Sequence, residues 1–220
     1  MVSMLKTGVA RRCVALAGLF ALALCAAVAQ AQQAPDKLVK DVANEVLRSL
    51  REDPELRAGN VNKMVELIEN KVAPHFDFDR MTRLAVGRNW REATEQQKKL
   101  LIAQFRQLLV RSYSTAYSAY RNIVVEVKPA RLQPGEDDVQ VKSEIKLPGG
   151  APPVNVDYAM YKADSDWKVY DVIVDGVSLV TTYRSTFSEE IRQNGIDGLI
   201  KSLREKNTLP PPPPPGKKAQ

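Results

Sequence analysis

The sequence predicts an α+β domain in which helices pack on one face of a four-stranded antiparallel sheet. Residues 36–120 carry apolar side chains at helical spacing, residues 122–175 alternate between apolar and polar side chains, and residues 178–206 return to helical spacing. Helices before and after a block of strands favour separate layers over an alternating βαβ arrangement. A chain of 220 residues suits one domain with short additional segments.

The first 31 residues have the pattern of a secretory signal peptide. Three basic residues precede an uncharged apolar run over residues 13–28, and small residues then allow cleavage after Ala31 or Ala29. A helix needs about 20 apolar residues to span a bilayer, and this run is shorter. A membrane anchor is therefore disfavoured. Lipidation at Cys25 is a further alternative, disfavoured by the bulky residue before it. We expect residues 1–31 to be removed and the mature domain to begin at residue 32.

Removal of this segment changes both the cysteine content and the charge. Cys13 and Cys25 are the two cysteines of the chain, so the mature protein has no thiol for a disulfide, a nucleophile or a metal site. The net charge falls from +6 to +3, because the segment carries three basic and no acidic residues. That small excess is spread along the helices and does not favour nucleic-acid binding. An exported domain without disulfides depends on its core for stability.

Four helices are predicted before the strands, each from an apolar stripe with a start or stop signal. The first helix lies between Pro35-Asp36 and Asp53-Pro54, and the second covers residues 60–73 and ends before Pro74. The third starts at Asp77 or Asp79 and ends at Gly87. The fourth starts at Thr94 with Gln97, and its apolar stripe runs from Leu101 to Tyr120. Proline stops a helix, carboxylates cap the N-terminus, and glycine suits the C-terminal cap. Thr94 and Gln97 have the spacing of a capping box.

Period-two alternation predicts four strands after these helices. They cover residues 123–128, 139–147, 154–161 and 170–175, with turn signals at Pro134-Gly135, Gly149-Gly150 and Asp164-Ser165 between them. Because the connections are short, the strands should form an antiparallel meander with one apolar face.

Two helices and an extended tail complete the chain. The first helix starts at Ser178 or Thr181 and ends near Gly195, and the second covers residues 196–206. Residues 207–220 include six consecutive prolines, which favour an extended polyproline II conformation. We expect a disordered tail, with a docking motif as the alternative.

The sequence lacks the usual catalytic and metal-binding signatures. His75 is the single histidine, and the chain has neither a glycine-rich phosphate loop nor a G-x-S-x-G elbow. Asp77 with Asp79 and Asp171 with Asp175 are conceivable acid pairs. The first pair fits a helix start, and the second fits a solvated sheet face or a polar partner contact. We therefore predict no enzymatic activity, no catalytic residue, no cofactor and no metal.

The apolar sheet face, opposed by apolar helix faces, fits either an ordinary solid core or a cavity for an apolar ligand. Both need the same inward Val, Ile, Leu and Tyr side chains, so periodicity alone does not separate them. Three functional classes follow: a binding protein with a cavity, a small α+β pocket enzyme of the exported compartment, and an interaction module with a solid core.

Two long blocks of sequence bear on this choice. They are residues 76–117, FDFDRMTRLAVGRNWREATEQQKKLLIAQFRQLLVRSYSTAY, and residues 167–187, WKVYDVIVDGVSLVTTYRSTF. Both resemble characteristic segments of the MlaC family of periplasmic phospholipid-binding proteins, also called toluene-tolerance proteins. The resemblance extends in the family's order over about residues 36–206. It implies that residues 32–206 form a twisted antiparallel sheet with helices packed on one face, enclosing an apolar cavity.

The resemblance also implies a function. Such proteins are periplasmic shuttles that carry glycerophospholipid between an outer-membrane lipoprotein complex and an inner-membrane ABC transporter with an MCE-domain subunit. The implied role is to maintain the lipid asymmetry of the outer membrane. The enzyme and the solid interaction module remain the alternatives.

For a phospholipid carrier, we expect the acyl chains to contact the inward strand residues and the helical residues opposite them. The expected lipid-binding residues are Leu84, Phe105, Leu109, Tyr113, Val125, Val127, Val141, Ile145, Val156, Tyr158, Tyr170, Val172, Val174, Val180, Tyr183 and Phe187. Lys168 and Arg184 are expected at the rim. Because no basic cluster is evident to neutralise a buried phosphate, the headgroup should stay near solvent and be weakly selected.

Overall fold

The chain folds in the order that the sequence predicts: helices, then strands, then a closing helix. The computed structural model describes residues 33–119, 123–133, 135–164 and 166–209. Within them the α-helices are α1 Pro35–Glu52, α2 Pro54–Arg57, α3 Val61–Lys71, α4 Phe78–Val86, α5 Glu95–Ala119 and α6 Leu179–Thr208. The strands are β1 Val124–Val127, β2 Asp138–Lys146, β3 Val154–Ala163, β4 Asp166–Val174 and β5 Val177–Ser178. The predicted signal peptide, Tyr120 and the proline run lie outside the described residues.

The first two helices meet at Asp53-Pro54, which was predicted as a stop signal only. Asp53 ends α1 and also caps α2, because its carboxylate accepts hydrogen bonds from the backbone N–H of Glu55 at 2.7 Å and of Leu56 at 3.2 Å. Proline at the first position of a helix loses no intrahelical hydrogen bond. The same dipeptide that breaks one helix therefore starts a short second one.

The caps of α4 and α5 follow the predicted signals. Asp77, rather than Asp79, caps α4 by accepting a hydrogen bond from the N–H of Arg80 at 2.8 Å. Gly87 ends α4 at φ 64°, a conformation that favours glycine. The capping box of α5 is confirmed: Gln97 N–H donates to Thr94 Oγ1 at 3.2 Å, and Thr94 N–H donates to Gln97 Oε1 at 3.0 Å.

The sheet is the predicted antiparallel meander with one additional strand. Its order is β1-β2-β3-β4-β5, so each strand pairs with its neighbour in sequence. The prediction of four strands missed β5, whose two residues, Val177 and Ser178, are too few to show alternation. It also began the fourth strand at residue 170, whereas β4 begins at Asp166.

A β-bulge interrupts the pairing of β3 with β4. Ala159 pairs with Asp171, but the next pair is Met160 with Val169, so Tyr170 is the extra residue on β4. A bulge changes which face each following side chain occupies. Val169 on one side of the bulge and Val172 on the other both face the helices as a result, and Tyr170 faces away.

The closing helix α6 contains the break that the sequence predicts. Gly195 has non-helical angles of φ 70° and ψ −178°, which separate two helical halves. Ser178 caps the first half by accepting a hydrogen bond from Thr181 N–H at 3.0 Å. The second half ends at Thr208 rather than residue 206, because buried Asn207 donates to the backbone oxygen and to the side-chain oxygen of Gln104, both at 3.0 Å.

The core divides into a helical part and a sheet part. The helical part lies between α4, α5 and α6 and is built around Met81, Phe105, Phe187, Leu199 and Leu203, all almost fully buried. The sheet part lies where α1, α3 and α5 face the strands. Among the described residues, no helix is long and apolar enough to cross a membrane.

Candidate functional site

Two neighbouring cavities lie between the apolar face of the sheet and the helices that cover it. The larger has a volume of about 260 Å³ and the smaller about 100 Å³, and both are partly open to solvent. Apolar cavities of roughly 150 Å³ stay dry and take up benzene-sized molecules. The larger cavity therefore exceeds the size at which a buried apolar site binds hydrocarbon.

Strands and helices both contribute to the walls. The larger cavity is lined by Ile68, Val72, Ala73, Phe76, Phe78, Met81, Leu109, Val110, Tyr113, Ile123, Ile145, Leu147, Val154, Val156, Tyr158, Val172, Val174 and Leu179. The smaller cavity is lined by Leu38, Val39, Val42, Ala43, Val46, Leu47, Val72, His75, Phe76, Ile123, Val125, Ile145, Tyr158, Met160 and Val169. The two share Val72, Phe76, Ile123, Ile145 and Tyr158, so they are adjacent along the sheet.

Strand register brings the wall residues of the sheet together. Val156 pairs with Val174, and Tyr158 pairs with Val172 on one side and with Val141 on the other. Residues at paired positions point to the same face, so these side chains form one apolar surface. Valine is short and rigid at χ1, and it does not reach the opposite helices as a longer side chain would. A wall of valines therefore leaves space beneath the helices.

Helices α3 and α5 form the opposite wall and are tied together outside the cavity. Arg106 on α5 forms an ion pair with Glu69 on α3. The Arg106 guanidinium also lies 5.4 Å from the ring centre of Phe78, which lines the larger cavity. These contacts hold the helical wall without placing a charge in the cavity.

A cluster of polar side chains on the outward face of the sheet fixes the start of α4. The Arg80 guanidinium lies 3.7 Å from the ring centre of Tyr170 and 4.4 Å from that of Tyr161, and it pairs with Asp138 at 3.3 Å. Tyr170 donates to Asp138 at 2.8 Å, and Tyr161 donates to Asp77 at 2.5 Å. The cluster links α4 to three strands. It thereby holds Phe78 and Met81, on the other side of α4, in the wall of the larger cavity.

Three of the four carboxylates in the candidate acid pairs, Asp77, Asp171 and Asp175, have structural roles. Besides capping α4, Asp77 accepts a hydrogen bond from the Tyr161 hydroxyl. Asp171 accepts hydrogen bonds from Ser178 Oγ at 2.5 Å and from Val180 N–H at 3.0 Å, which fixes the start of α6. Asp175, in the turn after β4, accepts from the N–H of Asn155 at 2.9 Å. These carboxylates organise the backbone, and neither Asp171 nor Asp175 lines a cavity.

His75 is the single imidazole beside the cavities. It ends the 3₁₀ segment Ala73–His75, lines the smaller cavity, and keeps Nδ1 buried without a hydrogen-bond partner. Burial lowers the pKa of His75, the nearby Lys168 lowers it further, and Asp166 and Glu45 oppose this shift. The imidazole is therefore neutral at pH 7.

The walls as described carry no charged side chain at neutral pH. Their polar side chains are those of Tyr113, Tyr158 and His75. Burial raises the pKa of Tyr113 to about 12, so its hydroxyl stays protonated. An uncharged wall suits an uncharged hydrocarbon ligand, since a buried charge would need a partner. Within the described part of the chain, no group of three His, Cys, Asp or Glu residues could hold a metal ion.

Half of the expected binding residues line the cavities. They are Leu109, Tyr113, Val125, Ile145, Val156, Tyr158, Val172 and Val174. Six of these eight come from strands, where alternation assigns each side chain to one face.

The structure places the other eight expected residues elsewhere. Phe105, Val180, Tyr183 and Phe187 pack in the helical core, Val127 and Val141 pack beside the cavities in the sheet core, Leu84 is 37% exposed on α4, and Tyr170 faces Arg80 on the outward side. The helical residues were misplaced because α5 and α6 also bury apolar faces against each other. Tyr170 was misplaced because the bulge breaks strict alternation.

The two expected rim residues do not line either cavity. Arg184 lies against the backbone of Gly87, where a Cβ atom would stand 3.0 Å from its Nε. Lys168 donates a hydrogen bond to the carbonyl oxygen of Pro74 at 2.7 Å.

Several residues that line the cavities were not among the expected lipid-binding residues. For some of them, the sequence pattern already indicated an inward side chain. Val154 has the same strand parity as Val156. Ile68 belongs to the apolar stripe of α3, and Val72, directly after α3, continues the stripe predicted for residues 60–73. Ile123 has the same parity as Val125 in the predicted strand 123–128, although it lies just before β1 in the structure. Phe76 had no such signal, because it lies in a short connection whose direction no periodicity defines.

Comparison with known proteins gives consistent matches over most of the chain. A family profile described as MlaC protein matches residues 40–205. The toluene tolerance protein ttg2D of Pseudomonas putida is 26% identical over 169 residues, which are 76% of this chain and 77% of that protein. The intermembrane phospholipid transport system binding protein MlaC of Haemophilus influenzae is 22% identical over 182 residues, 81% of each chain.

A solved structure matches the fold. It is the phospholipid-binding protein from Ralstonia solanacearum in complex with a phospholipid, with a TM-score of 0.73 and 36% identity. The match covers 80% of this chain and 97% of that one.

Proposed function

This chain belongs to the MlaC family, and from that premise we propose that it is a periplasmic phospholipid carrier. It binds the acyl chains of a glycerophospholipid in the two cavities and moves the lipid between the inner and outer membranes. The carrier thereby maintains the lipid asymmetry of the outer membrane. The observation that carries the proposal is a large apolar space whose walls hold no charged side chain.

The energetics of lipid transport explain why such a space is needed. Each CH₂ group moved out of water contributes about 0.8 kcal/mol, so a 16-carbon chain in water costs about 12 kcal/mol. A carrier must offset nearly all of this by enclosing the chain. It must also bind lipid little more tightly than a membrane does, since otherwise it would not release its cargo. Uncharged aliphatic walls, similar in polarity to the bilayer interior, meet both requirements.

The headgroup stays near solvent under this proposal. The cavity walls contain no Lys or Arg among the described residues, so a phosphate drawn inside would lack a partner. Selection among headgroups is accordingly weak. Binding of zwitterionic and anionic phospholipids with the same acyl chains should differ little, and a strong preference for one would contradict this point.

The partners follow from the same role. The carrier receives or delivers lipid at an inner-membrane ABC transporter with an MCE-domain subunit and at an outer-membrane lipoprotein complex. Residues 1–31 direct export and are removed. The carrier acts without chemical change to the lipid, a role supported by the structural use of Asp77, Asp171 and Asp175.

Native mass spectrometry of protein purified without detergent tests the proposal. We expect an added mass that matches one or more glycerophospholipids, together with lipids of the same mass after solvent extraction. A protein that carries no lipid and takes none up from vesicles would support a solid interaction module instead. Turnover of a bound lipid ester would support a pocket enzyme.

A further inference from the structure

One side chain in the wall of the smaller cavity has a polar atom without a partner. His75 lines this cavity, and its Nδ1 is buried with no hydrogen-bond partner among the described residues. Such atoms are rare in proteins, because taking a polar group out of water without a partner costs free energy. A phenylalanine or a leucine at this position would line the cavity without that cost, so packing alone does not account for the imidazole.

The segment that carries His75 is attached to β4 on both sides of the imidazole. Before it, the carbonyl oxygen of Pro74 accepts a hydrogen bond from Lys168 at 2.7 Å. After it, the N–H of Asp77 donates to the carbonyl oxygen of Val169 at 2.9 Å. The backbone at His75 is therefore fixed before a ligand binds, which lowers the entropic cost of an interaction at this position.

The charges around His75 favour an uncharged ligand group. Asp166, Lys168 and Glu45 are the ionisable groups that act on the imidazole, and Glu45 pairs with Lys71 at 2.8 Å. These two acidic and two basic side chains leave no net charge to attract a phosphate or an ammonium group. Burial lowers the pKa of His75, so the imidazole itself is neutral at pH 7.

A hydroxyl group fits this nitrogen better than the other uncharged polar groups of a lipid. A neutral imidazole carries its proton on either ring nitrogen, so Nδ1 is a donor in one tautomer and an acceptor in the other. A hydroxyl group both donates and accepts, and it can pair with both tautomers. An ester carbonyl only accepts, and it lies next to the headgroup, which stays near solvent.

We propose that the smaller cavity binds an acyl chain that carries a hydroxyl group, and that His75 Nδ1 forms the hydrogen bond that selects this chain. The inference rests on the proposed carrier function and adds a preference among acyl chains to the weak selection among headgroups. Most of the wall is aliphatic, with Leu38, Val42 and Val169 among its residues, and it contacts the methylene groups. An unsubstituted chain in the same place leaves Nδ1 unpaired.

Competition between two phospholipids tests this preference. The full mature chain is incubated with vesicles that contain equal amounts of a phosphatidylcholine with two unsubstituted 16-carbon chains and of one whose second chain carries a hydroxyl group. Three hydroxylated lipids are compared, with the hydroxyl near the ester, at the middle of the chain or near its end. Native mass spectrometry of the separated protein gives the ratio of the two bound lipids, which differ in mass by one oxygen atom.

Two variants accompany the wild type. His75→Phe keeps a planar ring and removes both nitrogens. Lys63→Met is the control, because Lys63 lies on the exposed face of α3 and pairs with Glu66. Comparison of the variants with the wild type cancels any difference in how readily the two lipids leave the vesicles.

We expect the wild type to favour at least one hydroxylated lipid by about fivefold or more relative to His75→Phe, which corresponds to one hydrogen bond to a buried group. Lys63→Met should give the ratio of the wild type. The favoured lipid should also shift the ¹⁵N NMR signal of His75 Nδ1 in the wild type by more than the unsubstituted lipid does, because the hydrogen bond forms at that atom.

Three results would overturn the proposal. The first is the same ratio for the wild type and His75→Phe with all three hydroxylated lipids, which would leave Nδ1 to pair with water. The second is a preference that is lost in Tyr113→Phe or Tyr158→Phe but kept in His75→Phe, which would assign the hydroxyl to another polar side chain of the walls. The third is an Nδ1 signal that responds equally to all lipids, a result that needs no variant to fold. A wild-type chain that takes up neither lipid would instead contradict the carrier function itself.

Discussion

The helical part of the core is solid, whereas the layer between helices and sheet is hollow, although both are built from apolar residues. In the helical part, Phe105 packs edge-on against Phe187, with ring centres 5.0 Å apart, and against Tyr183 at 4.9 Å. In the hollow layer, Val156, Val172 and their neighbours face a cavity of about 260 Å³. Hydrophobicity alone therefore does not decide which region fills. The sheet side of the larger cavity presents short valines, although Phe76, Phe78 and Met81 also line it.

The physical reason lies in what each surface presents. Aromatic rings and methionine reach across the gap between two helices and interdigitate, which gives the density of an ordinary protein interior. Valine ends two bonds from the backbone and stands upright on the sheet. The outward Arg80 cluster and the Arg106–Glu69 pair fix the covering helices from outside the cavity. Space that the side chains do not fill is therefore kept open for a ligand.

Truncation of an aromatic residue in the solid region should have the largest effect on stability. Phe187→Ala should lower the free energy of unfolding by about 3–5 kcal/mol, because it leaves a void in a well-packed core. The paired variant Val174→Ala, at the cavity wall, should lower it by about 1 kcal/mol or less, since the space beside it already exists. Urea unfolding measures both values. Equal losses for the two variants would show that the regions do not differ in packing.

A charge in the hollow region should remove lipid rather than unfold the protein. Val172→Glu places a carboxylate in the wall of the larger cavity, and it should lower the bound phospholipid by about tenfold or more. The cavity is partly open, so the carboxylate can stay hydrated and the fold should survive. Native mass spectrometry measures the bound lipid, and circular dichroism checks the fold.

The matched control for this variant is Ile173→Glu. Ile173 pairs with Asp157 on the outward face of the sheet, next to Val172 in sequence. This variant should keep its lipid. A folded Val172→Glu protein with the normal lipid content would contradict the assignment of Val172 to the binding site.

The sequence was sufficient for most of the fold and for the strand side of the candidate site. Alternation assigned Val156, Val172 and Val174 to the inward face, and the structure places all three in the wall of the larger cavity, because a strand has only two faces and one of them is buried. Their contact with lipid stays a prediction. The capping signals at Thr94 and Gln97 fixed the start of α5 for a similar reason, since their geometry is local. What a short stretch of chain determines by itself could be predicted.

The helical side of the site depends on tertiary contacts, which no local pattern defines. Phe105 and Leu109 lie on the same apolar stripe of α5, yet Phe105 packs against α6 and Leu109 lines the larger cavity. A helix stripe is wide enough to face two neighbours, and which neighbour lies where follows from the assembled fold. Tyr170 shows the same limit on a strand, because the bulge depends on the pairing of β4 with β3.

Loosening the attachment of α4 should have an intermediate effect. It should change both the stability of the fold and the release of lipid from the larger cavity. Arg80→Met keeps the aliphatic stem but removes the guanidinium from between Tyr161 and Tyr170, and it should lower stability by about 1–2 kcal/mol. Because α4 contributes Phe78 and Met81 to the wall, lipid should also leave faster than from the wild type. Stopped-flow transfer of a fluorescent phospholipid to vesicles measures the release rate.

Lys63→Met provides the control for Arg80→Met. Lys63 pairs with Glu66 on the exposed face of α3, so its loss should change neither stability nor release measurably. An Arg80→Met protein that is less stable but releases lipid at the wild-type rate would show that the outward cluster supports the fold without positioning the cavity wall.

The smallest effect expected is a dependence on pH through His75. Burial lowers the pKa of His75 below its ordinary value of 6.5, so as the pH falls below 6.5 the unfolded chain takes up a proton before the folded one does. Stability is therefore lost as the pH falls, and His75→Gln should lose less than the wild type between pH 7.5 and pH 5.5. The carboxylates are common to both proteins, so the difference in melting temperature isolates the imidazole. Because the chain has one histidine, its NMR signal gives the pKa directly. A midpoint at or above 6.5 would mean that the hollow layer is wet around His75 and that its wall is less apolar than the side chains indicate.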